Sequence, residues 1–132
     1  MDTEHNKGVV RAYVDAFNGG RFELMASLFA QDVMIHGVTG SAPLERAIAF
    51  WRMLHASLET RLDVEEIVAE GDIVAVRYVE RGRWVGPFMG HDNPTGKTYE
   101  LSAMEWFRLA DGKIQERWGA RDSASQVRQI GL

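Results

Sequence analysis

The sequence of 132 residues contains no cysteine, and this absence excludes disulfide bonds, thiolate nucleophiles and zinc sites built on sulfur. It also lacks a surplus of positive charge, because 15 basic residues are interspersed with 19 acidic ones and the formal net charge is −4. Without a basic stripe, no nucleic acid partner is expected. No segment approaches the roughly 18 consecutive apolar residues of a membrane span, and the N-terminal MDTEHNKG differs from a signal peptide. We therefore expect a cytoplasmic protein with no membrane partner.

What the chain does contain is typical of a globular domain. Apolar residues make up 45% of it and charged residues 26%, and its length suffices to bury a core of its own. Internal repeats, low-complexity segments and linkers are missing. The sequence predicts one domain over residues 1–132.

The first part of the chain predicts three helices. In the first helix, apolar residues recur at helical spacing until Gly19 and Gly20 end it, and a short second amphipathic segment follows. Residues 32–37 (DVMIHG) indicate a brief strand, and Ser41 with Pro43 signals the start of a third helix. The apolar positions of these helices are Val10, Val14, Phe17, Met25, Leu28, Phe29, Leu44, Ile48, Trp51, Leu54 and Leu58.

After residue 62 the apolar period changes from three or four to two. Residues 62–84 predict a hairpin that turns around Gly71, and residues 97–119 predict a second hairpin that turns around Asp111 and Gly112. Helices followed by a meander of long strands indicate an α+β fold, in which the helices cover one face of an antiparallel sheet. A pocket between the helices and the curled sheet is then expected, and it would suit a small molecule.

The segment WVGPFMGHDNPTGKTYEL, residues 84–101, is the one place where Gly, Pro, Asn and Asp crowd together. A phosphate-binding loop would be followed by a helix N-terminus, but here Gly86 and Gly90 are followed by Pro94 and strand residues. A metal site is not indicated either, because the four histidines are scattered without an HxH or HxxxH pair. We interpret the segment as a crossover between strands, and we expect no metal or other cofactor.

Several motifs in their order resemble one protein family. RAYVDAFNGGRFE, RGRWVGPFMGHDNPTGKTYELSAMEWFRLADGKIQERW and the ending RQIGL are similar to the SnoaL-like polyketide cyclase group of the NTF2-like superfamily. The resemblance implies a cone-shaped α+β barrel, in which three N-terminal helices pack on a curved antiparallel sheet around a buried cavity, and it also implies a homodimer. Cyclases of this group perform an intramolecular aldol condensation without a cofactor, and a carboxylate removes the proton. Hydroxylases, isomerases, dehydratases and non-catalytic binders share the fold, so the fold alone does not name the reaction.

The acidic candidates for this chemistry are Glu105 and Asp122. Glu105 lies in the apolar strand segment AMEWF, where an unpaired charge would be costly, so it is paired, protonated or functional. The structural alternatives are an ion pair with Arg77 or Arg117 on a neighbouring strand, or exposure on the outer face of the sheet. Asp122 ends the last strand, and it either takes part in the chemistry or caps the following segment. The resemblance places the catalytic aspartate of the cyclases at the position of Gly119, which cannot transfer a proton, so Glu105 or Asp122 would have to replace it.

The basic candidates are His36 and Arg121. His36 follows the apolar VMI and could orient a substrate oxygen or shuttle a proton, whereas a buried, satisfied histidine is the alternative. The position of Arg121 depends on the second hairpin. A tight two-residue turn would place Glu105 and Trp118 on one face, whereas a bulge would bring Arg117, Gly119 and Arg121 inward instead.

The cavity lining is predicted from the large apolar and aromatic residues. The substrate-binding candidates are Phe17, Trp51, Met89, His91, Phe107 and Trp118. Three functions remain open: an enzyme acting on an aromatic polyketide or similar apolar carbonyl compound by acid–base catalysis, a ligand-binding module without turnover, and a dimerisation module.

Overall fold

In the computed structural model, which describes residues 2–132, four helices pack against one six-stranded sheet. The helices are α1 (Thr3–Asn18), α2 (Phe22–Ser27), α3 (Leu44–Leu58) and α4 (Ser123–Ile130). The strands are β1 (Phe29–Gly37), β2 (Gly40–Pro43), β3 (Arg61–Glu70), β4 (Ile73–Arg83), β5 (Thr98–Ala110) and β6 (Lys113–Arg121). The predicted α+β class is thereby confirmed, as are the first three helices and both hairpins, except that α2 ends at Ser27 and Phe29, predicted on this helix, begins β1.

The strands are ordered β2-β1-β6-β5-β4-β3 across the sheet. Strands β3 to β6 form the predicted antiparallel meander, but β1 pairs with β6 in the parallel direction, so the sheet is mixed rather than antiparallel throughout. A hairpin has a local signature in its turn, whereas the pairing of β1 with β6 joins segments about 80 residues apart and has none. The parallel pairing of β1 with β6 therefore cannot be predicted from local sequence patterns.

The start of α3 differs from the predicted one. Ser41 does not cap this helix but lies on β2, where its register partner on β1 is His36. Pro43 occupies the N-cap position and offers no side-chain hydrogen bond to the first turn. The structure also forms α4 from the chain after residue 122, beyond the three helices predicted.

The β5–β6 hairpin settles which residues face the helices. Its turn residues Asp111 and Gly112 have φ values of 52° and 76°, as expected for a two-residue turn of type I′. The pairing then shifts, because Leu109 pairs with Ile114 whereas the preceding residue of β5 pairs with Glu116. This bulge makes Gly119 the partner of Glu105, so the arrangement with Glu105 and Trp118 on one face is wrong.

The core lies between the helices and the inner face of the sheet. On β5 every second side chain from Tyr99 to Leu109 is buried, whereas Met104 and Trp106 on the opposite face are exposed.

In the part of the chain that the structure describes, no helix combines the length and the apolar character needed to cross a bilayer.

Candidate functional site

A cavity of about 200 Å³ lies between the inner face of the sheet and the helices α1 and α3. Apolar groups form most of its wall, as in most small-molecule sites. Five charged side chains also line it: Arg46, Glu80, Glu105, Arg117 and Arg121. The cavity is therefore an apolar chamber with a few polar groups at fixed places.

Glu105 is one of the two buried acids that line the cavity, with 6% of its surface exposed. Its Oε2 atom accepts hydrogen bonds from the Tyr13 hydroxyl (2.9 Å) and from Nε of Arg117 (2.5 Å), and the arginine completes the ion pair through Nη2. Its Oε1 atom is buried and has no hydrogen-bond partner among residues 2–132. Two donors thus hold one oxygen of the carboxylate, while the other is left available.

Tyr78 on β4 supplies the complementary group. Its hydroxyl is buried in the same cavity and has no hydrogen-bond partner in the described chain. Burial, and then the negative charge of Glu105, raise the pKa of Tyr78 well above its ordinary value, so the hydroxyl keeps its proton at neutral pH. The Tyr78 hydroxyl is also near enough to Glu105 for hydrogen bonding between them to raise its pKa, although neither the hydroxyl nor Oε1 has a partner with hydrogen-bond geometry in the described chain. Buried polar groups are nearly always paired in proteins, so this donor and this acceptor, side by side at one cavity, form a place where a hydrogen-bonding ligand would satisfy both.

Gly119 lies opposite Glu105 and lines the cavity without filling it. A Cβ atom at this position would lie 2.7 to 3.0 Å from the guanidinium of Arg117, which is too close. The glycine therefore gives Arg117 the space to reach Glu105, and the guanidinium also lies 5.7 Å from the centre of the Trp51 ring. Burial disfavours the charged form of Arg117, but Glu105 and the two tyrosines outweigh it and raise its pKa.

Glu80 and Arg121 form a second buried pair, and this pair is satisfied. Arg121 donates from Nε to Oε1 of Glu80 (3.0 Å) and from Nη2 to Oε2 (2.5 Å), and its Nη1 donates to Gln126 (3.2 Å). The Tyr99 hydroxyl donates to Oε2 of Glu80 (2.7 Å), and burial followed by Glu80 raises the pKa of this tyrosine. Both carboxylate oxygens are occupied, so this cluster joins β4, β5, β6 and α4 rather than presenting a free group to the cavity.

Four of the residues predicted from the sequence line the cavity: Phe17, Trp51, Glu105 and Arg121. Phe107 lies behind them in the core, with its ring 5.2 Å from the ring of Tyr13. These five come from four different elements, and the sheet and helices bring them together.

His36 and Trp118 do not lie at the cavity. Their rings stack 5.4 Å apart on the outer face of the sheet. Nδ1 of His36 is 2.6 Å from the Ser41 hydroxyl, and Nε2 is 2.8 Å from the Glu116 carboxylate. Both residues lie on the outer face because of the alternation of side chains along the strands. The bulge in β6 turns Trp118 outward, and the pairing of β1 with β6 places His36 beside it.

Asp122, Met89 and His91 are also outside the cavity lining. Asp122 is exposed and caps α4 by accepting a hydrogen bond from the backbone of Ser125 (3.1 Å), which is the capping alternative. Met89 and His91 lie on the exposed tip of the crossover, where residues 88 and 91 form a small bridge. No residue of the crossover, 84–97, lines the cavity.

Sequence reasoning missed Tyr78 and Glu80. Both lie on β4 in the same parity as Val74 and Val76, which are buried. Glu105 was identified because it is a polar residue at a strand position whose alternating neighbours are apolar. Tyr78 and Glu80 occupy such positions on β4 and could have been identified in the same way. In the described chain, no group of three or more His, Asp or Glu side chains converges in a way that could hold a metal ion.

Comparisons with known proteins agree with this architecture. The family model of the SnoaL-like polyketide cyclases matches residues 7–130. IdmH from Streptomyces antibioticus, assigned as a polyketide cyclase, is 29% identical, with coverage of 96% of this chain and 99% of that one and a TM-score of 0.84. A search of curated protein sequences finds no significant match.

Two less similar structures share the fold. AclR from Streptomyces galilaeus, assigned as a hydroxylase, is 22% identical, covers 98% of each chain and has a TM-score of 0.89. A protein of Xanthomonas campestris assigned as a polyketide cyclase is 24% identical, with coverage of 99% and 100% and a TM-score of 0.91. Since the family model spans almost the whole chain, the resemblance found in the sequence is confirmed, and this protein belongs to the SnoaL-like polyketide cyclase family.

Proposed function

We propose that this protein is an enzyme that removes a proton from a carbon atom next to a carbonyl group, in a small apolar compound of the polyketide type. Membership of the cyclase family supports the reaction class, and so does the similarity to structures assigned as a cyclase and a hydroxylase. The proposed chemistry needs only side chains of this chain and no cofactor.

The observation that carries the proposal is the pair of unsatisfied groups in the cavity, Oε1 of Glu105 and the hydroxyl of Tyr78. Glu105 takes the proton on Oε1, and the electron pair of the broken C–H bond moves into the enolate. Tyr78 donates a hydrogen bond to the enolate oxygen, where the negative charge develops. Arg117 and Tyr13 hold the other carboxylate oxygen, so the base keeps one orientation.

Ring closure requires one further step on the same enolate. The enolate carbon attacks a second carbonyl carbon of the same molecule, and the resulting alkoxide takes a proton, which protonated Glu105 can return. Position 119, to which the family resemblance assigns the catalytic aspartate, has no side chain here, and Arg117 occupies the adjoining space. In this proposal Glu105 therefore serves in place of that aspartate.

Proton exchange at carbon tests the first step without knowledge of the natural substrate. We expect the protein to accelerate the exchange of the α-protons of α-tetralone in D2O, followed by NMR. Glu105→Gln should abolish the acceleration because an amide cannot accept the proton. Tyr78→Phe should reduce it by roughly a hundredfold, as is typical when one donor to an oxyanion is removed.

The Tyr78→Phe variant is the cleaner of the two because it leaves the Glu105–Arg117 ion pair intact. Glu105→Gln leaves Arg117 buried without its counter-charge, so circular dichroism must establish that this variant folds. The double variant with Arg117→Gln removes both charges and serves if the single variant unfolds. Exchange at the wild-type rate in folded Glu105→Gln protein would contradict the assignment of the base.

A binding module without turnover is the second candidate, and the two donors that already hold Oε2 of Glu105 favour it. Such a module would bind α-tetralone, as seen by quenching of tryptophan fluorescence, but would not accelerate exchange in any variant. Binding and exchange measured on the same sample therefore separate the two candidates.

We also propose that the protein is a homodimer that pairs through the outer face of the sheet. That face carries exposed apolar side chains on β5 and β3, on either side of β4: Met104 (56% exposed), Trp106 (49%) and Val68 (63%), which line one surface pocket. Contiguous exposed apolar groups on a sheet typically mark an interface. The opposite face already packs against the helices, so a second copy would cover the face that remains bare.

A further inference from the structure

The charges that line the cavity do not balance. Three arginines and two glutamates line it, and Glu105 and Glu80 are each paired with one arginine, Arg117 and Arg121. For Arg46, no carboxylate of residues 2–132 lies within ion-pair distance. The cavity therefore has one unmatched positive charge, although the whole chain carries a formal net charge of −4.

Arg46 lies at the open end of the cavity. It belongs to the first turn of α3 and is exposed, as are two apolar neighbours in the lining, Val38 (51%) and Phe50 (40%). Trp51, five residues further along α3, is buried and its ring faces the guanidinium of Arg117. The lining of the cavity thus runs from exposed residues at its mouth to buried residues beside the Glu105–Arg117 pair.

The volume of the cavity limits the size of its ligand. A cavity of roughly 150 Å³ in an engineered protein binds benzene. The chamber of about 200 Å³ therefore holds one ring with a substituent, and a second ring would reach into the mouth. A longer polycyclic compound would have to project between Val38 and Phe50.

We propose that the ligand of this cavity is an aromatic ketone of one or two rings that carries a carboxylate at its far end, and that Arg46 binds this carboxylate at the mouth. Its body lies against the apolar wall, and its ketone or enol oxygens meet Tyr78 and Glu105. This inference rests on the proposed function for the inner end of the ligand, but its outer end depends on Arg46 alone. An ion pair at this exposed place contributes up to about 1 kcal/mol, which corresponds to roughly fivefold in affinity.

The test compares two probes by isothermal titration calorimetry at low salt. Benzoylacetone is neutral and presents a keto–enol pair to Glu105 and Tyr78, and its para-carboxylate derivative adds the anionic group. We expect the derivative to bind wild-type protein about fivefold more tightly than benzoylacetone, and added salt should reduce the difference. Arg46→Gln should remove this preference, so that the two probes bind this variant with equal affinity.

Arg11→Gln is the matched control, because it changes the net charge equally at an exposed residue of α1 outside the cavity lining. This variant should keep the wild-type preference. Equal affinities of the two probes for wild-type protein, or a preference that survives Arg46→Gln, would overturn the role of Arg46 and leave the proposed function standing. Failure of benzoylacetone itself to bind would instead count against the proposed site of proton transfer, and with it against this inference.

Discussion

At the scale of single residues, two buried glutamate–arginine pairs of similar composition have different roles. All oxygens of Glu80 accept hydrogen bonds, whereas Glu105 keeps one oxygen without a partner. A satisfied buried network fixes structure, and an unsatisfied buried group beside a cavity indicates a site. Glu80 and Glu105 are both buried and both pair with an arginine, so they differ in whether a carboxylate oxygen remains without a hydrogen bond.

The three tyrosines of the chain lead to a prediction about alkaline pH. Tyr13, Tyr78 and Tyr99 are all buried, and burial, reinforced by the nearby glutamates, raises the pKa of each of them. The unfolded chain ionises its tyrosines near pH 10, so the folded state loses stability as the pH rises above about 10 and is unaffected below it. With three groups, the free energy of unfolding should fall by about 4 kcal/mol per pH unit in that range.

Ultraviolet absorbance of tyrosinate, recorded together with circular dichroism, checks this expectation. No tyrosine should ionise in the folded protein near pH 10, and all three should ionise together when the protein unfolds. A gradual titration near pH 10 with the circular dichroism unchanged would contradict the burial of these hydroxyls.

At the scale of secondary structure elements, the parity of one strand decides which residues can act together. The sequence allowed both arrangements of the β5–β6 hairpin, because the turn at Asp111–Gly112 has a clear signature and the bulge at Gln115 has none. A single extra residue in β6 carries Arg117 and Gly119 inward and Trp118 outward. Glu105 could be predicted from its own strand, and Arg117 was one of the two arginines expected to pair with it. The choice of Arg117 over Arg77, which pairs with Glu66, and the outward position of Trp118 depend on the register between strands.

Two glycines in different elements give a matched prediction for stability. A Cβ atom at Gly82 on β4 would overlap the carbonyl oxygen of Leu58 at the end of α3 and the ring of Tyr99, whereas nothing lies within 4 Å of a Cβ atom at Gly8 on α1. Gly82→Ala should therefore lower the free energy of unfolding by about 1–3 kcal/mol. Gly8→Ala should raise it by about 0.5–1 kcal/mol because alanine favours the helix.

Urea denaturation of both variants measures these changes under the same conditions. The opposite signs matter, because a general effect of adding a methyl group would move both variants in one direction. An unchanged midpoint for Gly82→Ala would mean that the end of α3 and Tyr99 can move away from β4, and would contradict the close packing at this point.

At the scale of the whole molecule, the order of motifs predicted more than any single motif did. The ordered segments from the first helix to the closing RQIGL led to the family and the fold, and both are confirmed. The direction of the β1–β6 pair and the cavity volume could not be obtained in this way, since both depend on side chains from distant parts of the chain. The same holds for the crossover, none of whose residues lines the cavity.

The proposed homodimer gives a test at this scale. Trp106 is 49% exposed among the other apolar residues of the outer sheet face, so Trp106→Asp should place a charge in the interface and raise the dissociation constant by at least roughly thirtyfold. Leu24→Asp is the matched control, because Leu24 is 47% exposed but lies on α2, away from that face.

Sedimentation equilibrium of the three proteins measures the outcome. The wild type and Leu24→Asp should sediment at twice the mass of the chain of 14.9 kDa, and Trp106→Asp should approach the mass of one chain. Circular dichroism should be the same for all three proteins, because both substituted residues are exposed and neither contributes to the core. A wild type that sediments as a monomer, or a Trp106→Asp variant that remains dimeric, would show that the outer sheet face does not join two copies.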